Sequence, residues 1–136
     1  MGTAAGPLAK SRAMLDWFEE NIEKKPVDVF TALDVLKKKK AECQGHSYLY
    51  AALSRAAGIP SRVVNGLVYS GVYGGFLYHT WVENHINGCW LAIDPTFGQL
   101  EVDATHIRLV EGEKMEELVP LVNLIGKLQI KVLDYE

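Results

Sequence analysis

Three residues in the middle of the chain have the types that cysteine-based nucleophilic catalysis requires. Cys43 could supply a thiolate, His79 a general base, and Asp94 a carboxylate that orients the imidazole. This chemistry works only if the thiol, the base and the carboxylate lie within hydrogen-bond reach of one another. The elements that carry these residues therefore decide whether the pattern has catalytic meaning.

Cys43 stands where a helix is predicted to begin, and this helix is expected to run to about Ala57. Free backbone N–H groups and the positive end of the helix dipole favour a thiolate at such a position. The adjacent Glu42 and Gln44 make a polar environment, which argues against the alternative of a buried structural cysteine. Gly58 fits the left-handed position that follows the end of a helix.

A predicted β-hairpin carries the histidine and the aspartate. The segments before and after Asn87-Gly88 have the composition of strands, and this dipeptide is typical of two-residue hairpin turns. With that turn, Ile86 pairs with Cys89, and the register follows along both strands. A β-bulge near the turn would shift this register by one residue.

Counting back from the turn places Trp81 opposite Asp94 and His79 opposite Thr96. His79 and Asp94 are then diagonal neighbours on one sheet face, with roughly 7–8 Å between their backbones, which their side chains can span. Trp81 and Trp90 share this face and are expected to pack under the cysteine helix rather than to wall a cleft. The other face is apolar and is the better core surface. From spacing alone, the His–Asp pair could be catalytic or merely structural.

The remaining pattern predicts helices first and antiparallel strands afterwards, which indicates an α+β fold rather than a parallel α/β fold. Apolar spacing predicts a first helix over 8–24, which Pro26 ends. Thr31 begins a second helix, and Asp34, three residues later, makes a weaker version of the capping box there. Strands are predicted at 61–70, 76–86, 89–94, 105–110 and 128–133.

Three sequence blocks occur in order: ECQGHSYLYAALSRAAGIPSRVVNG at 42–66, HTWVENHINGCWLAIDPTFGQ at 79–99, and DATHIRL at 103–109. Together they resemble the bacterial transglutaminase-like superfamily. The shared features are a cysteine that opens a helix ending in R-A-A-G-I-P-x-R-V, an H-x-W-V-E strand and a G-x-W-x-x-x-D-P-T strand. The resemblance assigns the nucleophile to Cys43, the catalytic histidine to His79 and the catalytic aspartate to Asp94.

The resemblance implies a papain-like core in which the cysteine helix packs against an antiparallel sheet. It also implies acyl transfer on amide bonds of proteins or peptides through a thioester acyl-enzyme, as in a peptidase, an amidase or a transglutaminase. Water or an amine would resolve the acyl-enzyme, and the residues do not decide between them. Two alternatives stay open: a non-catalytic module that keeps the fold and binds peptides, and a regulatory domain of a longer protein.

The other histidines and the second cysteine have simpler interpretations. His46, one helical turn after Cys43, is either a polar neighbour of the site or solvent-facing. His106 is interpreted as structural, because a lone histidine usually is. Cys89 is expected in the core, because it falls on the apolar strand face.

Cys43, His46, His79 and His85 have the types of metal ligands and could in principle form a cluster. No second ligand pair at zinc-like spacing follows the Cys-x-x-His pair. We therefore expect no metal and no cofactor.

The composition indicates one ordinary globular domain. The chain has 136 residues, of which 49% are hydrophobic, and a net charge of −3. Residues 1–7 are predicted to be a flexible tail, or a remnant of the expression sequence, and 8–136 a single domain. The charge argues against nucleic acid as a partner, since Lys37–Lys40, the one basic cluster, is typical of an exposed helix end.

Two cysteines do not make a disulfide framework, so two free thiols in a reducing environment are expected. No signal core and no membrane-spanning run are visible. The compartment stays open, with the cytoplasm preferred. The expected partners are protein or peptide substrates, without a membrane, and the oligomeric state is open.

Overall fold

The computed structural model describes residues 6–25, 31–72 and 74–112, and the fold is α+β, as predicted. Helices dominate the first half of the described chain, and one main sheet occupies the second half. The elements are, in chain order, α1 (Pro7–Asn21), β1 (Glu23–Lys24), α2 (Ala32–Lys38), β2 (Lys40–Ala41), α3 (Cys43–Ala56), β3 (Ser61–Ser70), β4 (Gly75–Ile86), β5 (Cys89–Ile93) and β6 (His106–Glu111).

Helix α1 ends earlier than its apolar spacing predicts. It begins at Pro7, whose missing N–H is harmless in the first turn, and ends at Asn21. Glu23 and Lys24 form β1, which pairs in parallel with β2. The predicted helix end at residue 24 is therefore wrong, because pairing with β2 takes the place of the last helical turn.

Two signals at helix ends are confirmed. Oγ1 of Thr31 accepts from Asp34 N at 3.2 Å, and Oδ2 of Asp34 accepts from Thr31 N at 3.1 Å, which is the predicted capping box of α2. After α3, Gly58 has a φ of 83° and Ile59 N donates to Ser54 O at 2.9 Å. This backbone bond belongs to the Schellman motif, in which glycine accepts the left-handed conformation without steric cost.

The main sheet has the strand order β5-β4-β3-β6, and every neighbouring pair is antiparallel. Asn87 and Gly88 have φ values of 53° and 83°, and the type I′ hairpin turn requires positive φ at both positions. Ile86 pairs with Cys89, so the predicted register at the turn is confirmed.

Helix α3 packs on β4, as predicted for the cysteine helix. Oγ of Ser47 donates to Thr80 O at 3.1 Å across this contact. A fully buried Leu, Ile, Val or Phe side chain contributes about 1.5–3 kcal/mol, and the core between the helices and the sheet holds many of them. Its members include Leu15, Phe18, Leu49, Tyr50, Val63, Val82, Ile86 and Ile93.

The chain passes from one edge of the main sheet to the other through residues 95–105, here called the crossing segment. Three strand spacings of a flat sheet would separate β5 from β6 by roughly 14 Å. Asp94 and Gln99 exchange backbone hydrogen bonds at 2.8 and 3.0 Å, and Val102 N donates to Ala92 O at 3.1 Å. The crossing segment thus folds back along β5 before it reaches β6.

Several predictions fall partly or wholly outside the described residues. The strand predicted at 128–133 lies there, and so does most of the predicted tail. The boundaries 1–7 and 8–136 therefore stay predictions. Over the described ranges, the helices are too short or too polar to cross a membrane.

Candidate active site

Cys43 is the first residue of α3 and is half-buried. Glu42 precedes it in extended conformation, and its side chain does not cap the helix. The first N–H groups of a helix have no partner within the helix, so an uncapped start favours an anion beside it. This is the electrostatic setting that a reactive thiolate needs.

His79 connects the thiol to the carboxylate. Its Nε2 lies 2.7 Å from Oδ2 of Asp94, and both side chains are buried. Cys43 acts on the same imidazole, and because Nε2 is bound to Asp94, Nδ1 is the nitrogen that can serve the thiol. Burial lowers the pKa of His79, but the hydrogen bond to Asp94 and the influence of Cys43 outweigh it and raise this pKa to about 9.

The carboxylate of Asp94 accepts from two histidines and two backbone amides. His79 and His106 each place Nε2 2.7 Å from Oδ2. The amides of Thr96 and Phe97 donate to Oδ1 at 3.0 and 3.2 Å. Burial raises the pKa of Asp94, but the hydrogen bonds from His106 and His79 bring it down to about 2. The side chain is thus ionised at neutral pH although it is fully buried.

The predicted place of Thr96 opposite His79 is wrong. Strand β5 ends at Ile93, and the chain then turns. Pro95 has no N–H to donate to a ladder, and the carboxylate of Asp94 holds the following amides in a turn. The contact between His79 and Asp94 is unaffected, because it depends on the register only as far as Ile93.

Aromatic rings enclose the imidazole of His79. Phe97 stacks on it with centroids 4.7 Å apart, and Trp81 stacks at 6.0 Å. Trp81 is buried but packs against His79 and not under the cysteine helix, because it points away from the face that carries the core. Trp90 is 42% exposed and lies under the guanidinium of Arg62, so its predicted packing is wrong as well. It belongs to β5, an edge strand that leaves this side chain open.

His106 is the residue of this site that sequence reasoning missed. It is the first residue of β6, and it lies as close to Asp94 as His79 does. The sequence offered one signal, its place in the DATHIRL block. The path of the crossing segment, which brings it to Asp94, could not be predicted.

Cys89 is exposed, so its predicted place in the core is wrong. It starts β5 next to the hairpin turn, and β5 is an edge strand. At such a position one side of the strand has no neighbour, so the apolar alternation does not guarantee burial. Cys43 and Cys89 are both free thiols.

His46 is buried, which excludes the solvent-facing interpretation. Its Nδ1 lies 2.9 Å from Glu42 O, and its Nε2 has no hydrogen-bond partner among the described residues. Burial lowers the pKa of His46. It is therefore a polar neighbour of the site, one turn along α3 from Cys43.

Within the described ranges, the donor atoms of His79, Asp94 and His106 lie within 4.8 Å of one another, as metal ligands do. Around a tetrahedral zinc with bonds of about 2.1 Å, however, two ligand atoms lie about 3.4 Å apart. Both histidine nitrogens are 2.7 Å from one oxygen, which is a hydrogen-bond distance. His85, which the sequence offered as a fourth possible ligand, lies against Trp90. The arrangement therefore fits a hydrogen-bonded cluster better than a metal centre.

A surface cleft of about 450 Å³ lies between α1 and the crossing segment. Neither Cys43, His79 nor Asp94 lines it, so we do not assign it to the substrate. Its lining residues are Arg12, Leu15, Asp16, Glu19, Glu20 and Gly98.

A cysteine at a helix N-terminus that meets a histidine and an aspartate on an antiparallel sheet is the arrangement of papain-like folds. The model of the transglutaminase-like superfamily matches residues 1–95, which is more than half of the chain. The chain belongs to this superfamily.

Two curated relatives are kyphoscoliosis peptidases. The chain is 29% identical over 117 residues to that of Mus musculus and 29% identical over 111 residues to that of Homo sapiens. The matches cover 75% and 71% of this chain but only 17% and 16% of the relatives. The chain thus spans less than a fifth of the length of these proteins.

Among solved structures, a Cytophaga hutchinsonii protein described as a candidate cysteine protease is similar, with a TM-score of 0.66 and 25% identity. The match covers 79% of this chain and 37% of that chain. The predicted papain- and transglutaminase-like fold is thereby confirmed. The narrower resemblance to bacterial members stays a prediction.

Proposed function

We propose that this chain is a cysteine peptidase or acyltransferase that acts on amide bonds of proteins or peptides through a thioester acyl-enzyme. The observation that supports this most is the 2.7 Å hydrogen bond between Nε2 of the buried His79 and Oδ2 of Asp94, on an imidazole whose pKa is also raised by Cys43. Membership of the transglutaminase-like superfamily and the likeness to a candidate cysteine protease support the same class of chemistry.

Each residue of the series has one role in the proposed reaction. The proton of the Cys43 thiol moves to Nδ1 of His79, which gives a thiolate–imidazolium ion pair, and the thiolate sulfur attacks the amide carbonyl carbon. Asp94 holds the imidazole through Nε2–H and stabilises the imidazolium that forms. The backbone N–H of Cys43 is one donor to the tetrahedral oxyanion. The imidazolium then protonates the leaving amine, and water or another amine releases the acyl group from the thioester.

The substrate class is proposed from the relatives. The curated ones are called peptidases, and this name applies to proteins more than five times as long as the matched region. The half-exposed ring of Phe97, stacked on His79, gives the site an apolar rim suited to a polypeptide.

The first test measures thiol reactivity and needs no substrate. The full chain is treated with iodoacetamide at about pH 6, where an ordinary free thiol is almost entirely protonated, and both cysteines are quantified by peptide mapping. We expect Cys43 to react faster than Cys89, which is exposed and serves as the internal reference. His79→Ala should remove the difference. Equal rates for the two thiols in the unaltered protein would exclude the proposed ion pair.

The second test distinguishes the products. The protein is incubated with a peptide library and a labelled primary amine, and mass spectrometry measures hydrolysis, deamidation and amine incorporation together. Cys43→Ala is the matched control, because it removes only the sulfur. Peptides that are retained but unchanged would favour the alternative of a non-catalytic binding module.

A further inference from the structure

We propose that His106 is a positioning residue of this site, which fixes the Asp94 carboxylate in the orientation that His79 requires. This inference rests on the proposed function, because positioning has meaning only if Cys43, His79 and Asp94 act together. His106 opens β6, whereas Asp94 follows β5 at the opposite edge of the sheet. Residues from the two opposite edges of the sheet thus meet at one carboxylate.

The geometry at Oδ2 of Asp94 is symmetrical. Nε2 of His79 and Nε2 of His106 each lie 2.7 Å from this oxygen. An ionised carboxylate has no proton to give, so both nitrogens must donate. The amides of Thr96 and Phe97 hold Oδ1. Without His106, Oδ2 would depend on His79 alone, the ring that must gain and lose protons during the reaction.

His106 is itself held firmly. Its side chain is 2% exposed. Nδ1 lies 3.2 Å from Oδ1 of Asp103 and 3.3 Å from Oγ1 of Thr105, so both ring nitrogens have partners. The ring also meets Trp81 edge-on, with centroids 5.1 Å apart. A ring that is fixed on three sides can keep a carboxylate in place.

The backbone next to His106 shows how closely β6 must approach. A Cβ on Gly66 would lie 1.9 Å from Ile107 O and 2.8 Å from the ring of Trp81. Only a residue without a side chain leaves room for both. The register between β3 and β6 shifts at this same point, between Asn65 and Gly66.

The simpler alternative is that His106 only fills space against Trp81. The two interpretations differ in what they require of the side chain: positioning requires an N–H donor at Nε2, whereas packing requires only shape.

Among the described residues, two titratable groups contact Asp94 directly, His79 and His106. His46 interacts with Asp94 through its charge, and Cys43 interacts with His79.

Three variants of the full chain separate the two interpretations. His106→Leu removes the donor, His106→Gln keeps an amide N–H near the position of Nε2, and His85→Leu makes the same apolar change at a histidine that lies against Trp90. The readouts are the alkylation rate of Cys43 and the titration of the Asp94 carboxyl carbon by NMR.

We expect His106→Leu to slow alkylation of Cys43 by about 10–100-fold, the usual effect of removing a residue that orients a reactive group. The Asp94 titration should move to higher pH, because a hydrogen bond that favours the ionised form is lost. His106→Gln should recover most of the rate, and His85→Leu should behave like the unaltered protein.

Unchanged alkylation and an unchanged Asp94 titration in His106→Leu would overturn the proposal. So would a folded His106→Gln that is as slow as His106→Leu, since the donor would then not matter. If His106→Leu does not fold, His106→Gln decides alone: a rate within about threefold of the unaltered protein supports positioning, and a loss of tenfold or more contradicts it.

Failure of the proposed function looks different. In that case Cys43 of the unaltered protein would be no more reactive than Cys89, and positioning for catalysis would fall with it. The Asp94 titration would still respond to His106→Leu, because that hydrogen bond exists whether or not the thiol is reactive.

Discussion

Asp94 is a fully buried negative charge, and such a charge is costly unless hydrogen bonds replace its water. Four donors do so: two imidazole N–H groups on Oδ2 and two backbone N–H groups on Oδ1. The same four donors hold the carboxylate in one orientation towards His79. The donors that stabilise the negative charge also fix the orientation of the carboxylate, so a substitution at Asp94 changes both.

Asp94→Asn should leave the chain folded and reduce turnover by about 10²–10⁴-fold on any active substrate. The asparagine side chain can accept hydrogen bonds only at its one oxygen. Its NH₂ group would face Nε2 of His79, and this nitrogen would then have to accept a hydrogen bond. His79 then adopts the wrong tautomer. Turnover of the variant is measured beside Asp16→Asn, the same change at an exposed position on α1. Equal activity of the two variants would remove Asp94 from the mechanism.

At the scale of elements, local signals were predictable and long-range contacts were not. The capping box at Thr31, the glycine after α3 and the Asn87-Gly88 turn each depend on residues a few positions apart, and each was predicted correctly. The hairpin register even brought His79 and Asp94 together. The exposure of Cys89 depends instead on where the sheet ends, which no local pattern contains.

The role of the α2 cap can be measured directly. Thr31→Ala should lower the free energy of unfolding by about 1 kcal/mol, because the Asp34 amide loses its side-chain acceptor. Urea denaturation followed by circular dichroism is the measurement. Lys37→Ala, an exposed change in the last turn of α2, is the control and should stay within about 0.5 kcal/mol. A loss at Thr31 no larger than at Lys37 would show that the cap contributes nothing.

Gly66→Ala should destabilise the chain by about 1–3 kcal/mol, as overpacking of a close contact does. The new Cβ would have to push β6 away, since the atom that it meets first is a backbone oxygen. Gly71→Ala is the matched control, because a Cβ there meets nothing within 4 Å. Thermal unfolding of both variants tests this. Equal midpoints would mean that β6 has more room than its position beside Gly66 indicates.

For the whole molecule, the shifted pKa values predict how stability depends on pH. The pKa of His79 is raised to about 9 from its ordinary value of about 6.5. The contribution of His79 to the free energy of unfolding is therefore complete below about pH 6.5 and is lost as the pH rises to 9. The pKa of Asp94 is lowered to about 2, so its contribution is present above about 4 and is lost as the pH falls to 2. Together these two groups favour the folded state most between about pH 4 and 6.5.

Urea unfolding at a series of pH values checks this dependence. One proton changes the free energy of unfolding by at most about 1.4 kcal/mol per pH unit. The slope between pH 6.5 and 9 should therefore become shallower in His79→Gln, and the slope below pH 4 shallower in Asp94→Asn. Identical curves for His79→Gln and the unaltered protein above pH 6.5 would contradict the raised pKa.

The crossing segment also has a consequence for motion. Much of it lies outside the sheet ladders, and the amides of Thr96 and Phe97 are held by a side chain, the carboxylate of Asp94. Their protection from hydrogen exchange, relative to the intrinsic rate at the same pH, should therefore report on that carboxylate. It should be high near neutral pH and should be lost on acidification before the protection of the β3 and β4 amides. Because the same segment leads to His106, one local opening would release both histidines from Asp94, so the cluster should assemble and come apart as a unit.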